Sequence, residues 1–150
     1  MSDLRDLYQE VVIDHGRRPR NFHELDPHSH QADGFNPLCG DKMRLFLLVG
    51  SDNVIKDVSF TGSGCAISMA SASLLSEELK GKTTDEAQAL FDAFHRMLTQ
   101  DDVLPDTDAL GKLAVLAGVR EYPTRVKCAT LSGHTLRAAL RGDEQPATTE

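Results

Sequence analysis

The stretch Pro37-Leu38-Cys39-Gly40-Asp41 sets a thiol and a carboxylate two positions apart. Proline and glycine mark it as a tight loop, and an alternating apolar run begins just beyond it at Met43. The chain has two other cysteines, Cys65 and Cys128, which follow at intervals of 26 and 63 residues. Each sits among small residues, in Gly62-Ser63-Gly64-Cys65 and in Lys127-Cys128-Ala129-Thr130. Three thiols and one carboxylate are sufficient donors for a four-coordinate metal site. Intervals this long mean that the fold must gather the ligands, so the rest of the chain reads as their scaffold.

Downstream of the loop, residues 42–50 and 54–61 read as two strands. Met43, Leu45, Leu47 and Val49 share one face of the first, and Val54, Val58 and Phe60 one face of the second. Gly50-Ser51-Asp52-Asn53 joins them as a hairpin turn. A third short strand is placed at 61–64. Residues 65–79 read as a helix rich in alanine and serine, whose small side chains allow close approach to a sheet, and Gly81 stops it. Thr83 and Glu86 have the spacing of a capping box, followed by the stripe Ala87, Leu90, Phe91, Phe94, Met97 and Leu98. Residues 101–107 are a polar break containing Pro105; a short helix then carries Leu110, Leu113, Ala114 and Ala117 to Gly118. Pro123 separates it from a last helix over 124–141. Residues 142–150 read as a disordered tail.

Upstream, residues 3–15 form an amphipathic helix with Leu4, Leu7, Tyr8, Val11 and Val12 at helical spacing. Ser2 or Asp3 caps it and Gly16 ends it. Residues 17–41 read as a long loop with Pro19, Pro27 and Pro37, in which His23, His28 and His30 are surface histidines. The expected fold is α+β, a small antiparallel sheet of about three strands packed by helices, forming one domain over residues 1–141.

A chain of 150 residues, 40% hydrophobic and 26% charged, can bury a real core. No apolar run reaches the ~18 residues of a membrane span. The start, Met1-Ser2-Asp3-Leu4-Arg5, lacks the basic-then-apolar plan of a secretion signal, so a cytoplasmic location is expected. A net charge of -7 argues against nucleic acid as a partner. Three cysteines cannot all pair with one another, which favours metal or thiol chemistry over disulfides. Residues 77–110 are strongly acidic, whereas 120–141 carry Arg120, Arg125, Lys127, Arg137 and Arg141 against Glu121 alone. This asymmetry fits either two solvated faces or a basic docking surface beside Cys128.

Each thiol has a local reason to ionise. Cys39 lies on an open loop, Cys65 at a helix N-terminus, and Cys128 near Arg125 and Lys127. Thiolates suit zinc and iron–sulfur clusters, and the harder carboxylate of Asp41 makes the site more exchangeable than four thiolates would. Three thiolates and a carboxylate outweigh a divalent cation, so Arg125 or Lys127 would help neutralise the site. A competing arrangement makes Cys39 a hydrolytic nucleophile with His15, His95 or His134 as base. No nucleophile elbow or oxyanion motif accompanies these residues.

With these residues in view, the chain resembles the U-type iron–sulfur cluster assembly proteins, which include the NifU N-terminal domain, IscU and SufU. The resemblance runs through Leu7-Tyr8, Asp14-His15, Pro19-Arg20-Asn21 and Asn36-Pro37-Leu38-Cys39-Gly40-Asp41. It continues through Phe60-Thr61-Gly62-Ser63-Gly64-Cys65-Ala66-Ile67-Ser68 and Arg125-Val126-Lys127-Cys128-Ala129-Thr130-Leu131. The IscU branch commonly has a histidine before its third cysteine, where this chain has Lys127, and a shorter interval between its second and third cysteines. The extra residues here fall around 98–120, as in the SufU branch. One departure is Gly133 before His134, where the SufU branch often has tryptophan.

The resemblance implies a zinc site from Cys39, Asp41, Cys65 and Cys128, with iron or a [2Fe-2S] cluster as the alternative occupant. It implies a zinc-dependent sulfurtransferase that accepts persulfide sulfur on Cys39 from a pyridoxal-phosphate cysteine desulfurase of the SufS type. The sulfur would serve downstream iron–sulfur assembly proteins. In the implied mechanism the partner displaces Cys39 from zinc, and Arg125 matches a basic residue at the docking region. The alternative activity is a scaffold on which a [2Fe-2S] cluster is built.

Overall fold

The structure, a computed structural model, describes residues 2–100, 107–142 and 145–149, with side chains from residue 9 onward. Helix α1 (Ser2–Arg17) is followed by strands β1 (His30–Asn36), β2 (Asp41–Val49) and β3 (Ile55–Ser63). Then come α2 (Ala66–Leu79), α3 (Thr84–Thr99), a single turn α4 (Thr107–Leu110) and a 3₁₀ helix (Gly111–Glu121). Helix α5 (Pro123–Arg141) and strand β4 (Ala147–Thr148) complete the chain. The sheet order is β3-β2-β1-β4; β1–β2 and β2–β3 pair antiparallel, and β4 pairs parallel to β1.

Alternation along β2 puts Met43, Leu45 and Leu47 into the core while Lys42 and Arg44 face out. The β2–β3 register shifts at Leu48/Val49, where Val49 pairs with Ile55 and Leu48 with Asp57. This bulge resets the alternation of β3. Ile55, Val58 and Phe60 therefore all point inward, and Val54 makes only an isolated bridge to Thr83. Helices α2 and α5 pack together; α5 lies on β1 and β2, while α2 meets β3. Serines make the α2 contact close: the Ser71 hydroxyl donates to the Ala129 carbonyl of α5 and pairs with Ser132 Oγ at 3.2 Å.

The resemblance segment at the start of the chain clamps α1 onto α2. Ser73 Oγ accepts from the Arg20 backbone N–H at 2.8 Å and shares a hydrogen bond with His15 Nδ1 at 2.7 Å. The Asn21 amide donates to Ser76 Oγ at 2.9 Å, and Arg20 pairs with Asp14 at 2.6 Å. The capping box is present: Thr83 Oγ1 accepts from the Glu86 N–H at 3.1 Å, and Glu86 accepts from the Thr83 N–H at 2.9 Å. Phe91 of α3 occupies the space that a side chain on Gly133 would need, so one aromatic ring stands where the tryptophan-bearing pattern would place another.

The α+β architecture is as expected, but the strands are not all where the sequence suggested. The expected loop 17–41 contains β1, and residues 61–63 continue β3 instead of forming a strand of their own. Strand β1 is short of β-branched residues because α5 crosses it closely. Ala32, Gly34 and Asn36 face inward, and a Cβ on Gly34 would overlap Thr135 of α5. Within the tail expected to be disordered, Ala147–Thr148 form β4. The 107–121 segment follows a strict three-residue repeat, Leu110, Leu113, Leu116 and Val119, all buried, which is the period of a 3₁₀ helix and not an α-helix. Residues 101–106 of the expected polar break, the side chains of Leu4, Leu7 and Tyr8, and tail residues 143, 144 and 150 lie outside what the structure describes, while Thr107 already begins α4. No helix among the described residues is long and apolar enough to cross a membrane.

Gly34→Ala tests the β1–α5 contact. The overpacked methyl is expected to cost about 1–3 kcal/mol, read as a lower urea midpoint. An unchanged midpoint would show that β1 and α5 are not in this close contact.

Candidate metal centre

Asn36 and Asp41 are paired residues at the end of the β1–β2 hairpin, so Pro37-Leu38-Cys39-Gly40 is its loop. The Gly40 N–H returns to the Asn36 carbonyl at 2.9 Å, and Gly40 closes the turn with φ of +73°, a conformation that glycine adopts without strain. Cys39 is exposed on this loop, Cys65 is half-buried, and Cys128 is buried. The Cys128 Sγ–Cys39 Sγ separation is 3.4 Å. Ligand atoms of Cys39, Asp41 and Cys128 all lie within 4.8 Å of one another.

Asp41 is fully buried. Its Oδ1 accepts from the Cys65 backbone N–H at 2.9 Å and its Oδ2 from the Asn36 amide at 3.1 Å. A Cβ on Gly64 would stand 2.6 Å from Asp41 Oδ1, so the glycine before Cys65 makes room for the carboxylate. Among the described residues no lysine, arginine or histidine forms an ion pair with Asp41. Cys65 itself caps α2, its Sγ accepting from the Ser68 N–H at 3.4 Å. The fold thus brings Cys39, Asp41 and Cys128 into one cluster, with Cys65 alongside as a helix cap.

Asn36, no ligand candidate by its residue type, binds three parts of this site. Its Oδ1 accepts from the Leu38 N–H at 3.3 Å, and its Nδ2 donates to Asp41 and, at 3.5 Å, to Cys128 Sγ. The backbone N–H can only donate, which fixes the orientation of the amide. Burial at position 36 in an otherwise turn-like Asn-Pro would have been the signal, and it is visible only in three dimensions.

Electrostatics separate the thiols. Burial pushes the Cys128 thiol well above the ordinary range, helped by hydrogen bonds with Cys39 and Cys65 and by the charges of Cys65 and Asp41. The expectation that Cys128 ionises easily is therefore corrected: desolvation outweighs its basic neighbours in the metal-free chain. The Arg125 guanidinium faces the cluster. It is held above its usual range first by the charge of Cys65, then by a hydrogen bond to Cys128 and that thiol's charge, and least by Cys39. Of the other basic residues, Arg137 pairs with Asp92 at 2.6 Å, and Arg120 reaches the Met97 carbonyl.

The histidines proposed as bases are engaged elsewhere. His15 is bonded to Ser73. His95 and His134 both pack edge-to-face against Phe91, and burial lowers His134 to about 4, leaving it neutral.

Burial and charge predict an order of thiol alkylation in the metal-free protein: Cys39 first, Cys65 next, Cys128 last. Peptide mapping after timed iodoacetamide treatment reads this order. Modification of Cys128 as fast as Cys39 would contradict the burial of its sulfur.

The NifU-like N-terminal domain family matches residues 7–129. The chain is 38% identical over 143 residues to the zinc-dependent sulfurtransferase SufU of Bacillus subtilis (strain 168), covering 95% of each chain. It is 39% identical over 141 residues to the iron–sulfur cluster assembly scaffold protein IscU of Streptococcus pyogenes serotype M1, covering 94% of this chain and 87% of that one. The crystal structure of an N-terminal NifU-like protein from Brucella abortus superposes with a TM-score of 0.78 at 25% identity, covering 91% of this chain and 93% of that chain. Matched by the family over residues 7–129 and by relatives along most of its length, the chain belongs to the NifU-like N-terminal domain family.

Proposed function

We propose that this protein holds zinc through Cys39, Asp41, Cys65 and Cys128 and accepts persulfide sulfur on Cys39 for iron–sulfur cluster assembly in the cytoplasm. One observation carries the reading: a fully buried carboxylate, with no cationic side chain paired to it among the described residues, lies within 4.8 Å of two sulfurs. Burying an uncompensated carboxylate costs several kcal/mol, and a divalent cation removes that cost. The donor set of three sulfurs and one oxygen fits zinc. Zinc, when bound, supplies a Lewis acid that keeps the thiols deprotonated at neutral pH.

The residues divide the work by position. Asp41 and Cys128 are buried and Cys65 is held at the start of α2, so these three donors are fixed by the core. Cys39 stands on the exposed hairpin loop, where a partner can reach it. Its thiolate attacks the outer sulfur of a persulfide on the desulfurase cysteine. The S–S bond of the donor breaks, the donor thiolate leaves, and a persulfide forms on Cys39. Arg125 offsets the negative charge of the thiolates during this exchange. Leu38 and Tyr122, 56% and 58% exposed, give the rim an apolar edge for a protein partner. That partner is a pyridoxal-phosphate cysteine desulfurase of the SufS type. The likeness to IscU supports a second reading, assembly of a [2Fe-2S] cluster on the same four residues.

The test is intact mass after incubation with desulfurase and cysteine. The zinc-loaded chain is expected to gain sulfur on Cys39 and the Cys39→Ser variant none. Equal gain by zinc-stripped protein would refute the zinc-dependent transfer and favour the cluster scaffold. Asp41→Ala is expected to weaken zinc binding by more than the about 10–100-fold typical of losing a supporting residue; unchanged affinity would remove Asp41 from the ligand set. Because the Cys128 thiol holds its proton to high pH, metal uptake must release it, so zinc affinity is expected to rise with pH. A flat profile in a chelator competition would contradict ligation by Cys128.

A further inference from the structure

The C-terminal segment reaches the candidate metal centre through a hydrogen bond from Thr149 to Asn36. Parallel pairing sets Ala147 beside Gly34 and Thr148 beside Phe35, so the next step of the register brings Thr149 beside Asn36. Alternation puts Ala32, Gly34 and Asn36 on the inward face of β1. On the tail, Ala147 and Thr149 are half-buried and Thr148 is exposed, so Thr149 shares the inward face with Asn36. Thr149 Oγ1 donates to Asn36 Oδ1 at 2.9 Å.

That bond completes the Asn36 amide. Oδ1 accepts from the Leu38 N–H and from Thr149, and Nδ2 donates to Asp41 and to Cys128 Sγ. All four hydrogen-bonding positions of a fully buried side chain are filled. The two acceptor contacts hold the amide plane, and that plane aims two N–H bonds at two donors of the cluster. An N–H directed at a thiolate sulfur and at a carboxylate oxygen stabilises their charged forms and fixes their direction.

We propose that Thr149, docked by strand β4, is a positioning residue of the metal centre, acting through Asn36 on Asp41 and Cys128. The inference rests on the four-ligand reading above. It assigns the segment around β4 a role that the motifs do not reveal, since Thr149 lies well beyond Cys128. It also makes the β1 edge a point of control, because any segment that displaces β4 from that edge removes the Thr149 contact.

The experiment compares full-length wild type, Thr149→Val and Thr149→Ser. Valine keeps the shape and removes the donor, and serine restores it. Three readouts are taken: zinc affinity by chelator competition, the charge-transfer and ligand-field bands of the cobalt-loaded protein, and the Asn36 side-chain amide resonances of the metal-free protein. Thr149→Val is expected to weaken zinc binding about 3–10-fold, at or below the low end for outer-sphere partners. It should also shift the cobalt bands and move the Asn36 resonances, and Thr149→Ser should return all three to wild type. A Thr149→Val protein with wild-type affinity and cobalt bands overturns this inference and leaves the ligand set standing. A wild-type chain that takes up neither zinc nor cobalt overturns both.

Discussion

The buried carboxylate of Asp41 is the constraint on which the other features depend. It accepts from the backbone of Cys65 and from the side chain of Asn36, so it ties the start of α2 to the β1–β2 hairpin. Both contacts demand particular neighbours. Gly64 has no side chain because Asp41 Oδ1 occupies its place. Asn36 is an amide because it must donate to an anion and accept from Leu38 at once. A carboxylate buried without a cationic side chain is unfavourable by several kcal/mol, and the described residues leave this one beside the sulfurs of Cys39 and Cys128 and the backbone of Cys65. On the proposed reading, stability is given up at one point so that a cation can be held there.

The surrounding fold delivers these groups by close approach. Serines on α2 let it bond to α5 at Ala129, the residue after Cys128. The small inner face of β1 lets α5 lie directly on the sheet, which puts Cys128 3.4 Å from Cys39 on the hairpin loop. The same closeness buries Cys128 and pushes its thiol away from ionisation, while Cys39 stays open. The three sulfurs are thus unequal before any metal arrives: one reachable, one held by a helix N-terminus, one sealed in the core. This inequality suits a site in which one ligand reacts and the others stay bound.

Much of this was legible in the sequence, and the exceptions have a common cause. The alternation of Met43, Leu45 and Leu47, the Thr83–Glu86 cap and the donors around Cys39 all announce themselves through local pattern. Strand β1 does not, because Ala32 and Gly34 are chosen by the helix that crosses them and not by strand propensity. The 3₁₀ helix was hidden because Leu110 and Leu113 fit periods of three and of 3.6 alike, and only Leu116 and Val119 decide between them. Strand β4 is two residues long and pairs with a segment more than 100 positions away, beyond any local signal. The roles of Asn36 and Thr149, and the suppressed ionisation of Cys128, arise from tertiary contact alone.

The central claim is that three sulfurs and one carboxylate oxygen converge on a single ion. X-ray absorption at the zinc edge of the zinc-loaded, full-length protein tests it most directly. The account predicts a first shell of three sulfurs at about 2.3 Å and one light atom at about 2.0–2.2 Å, with the light-atom contribution altered in Asp41→Ala. A shell of two sulfurs, or one with histidine outer-shell scattering, would show that the cluster around Asp41 is not the metal centre described here.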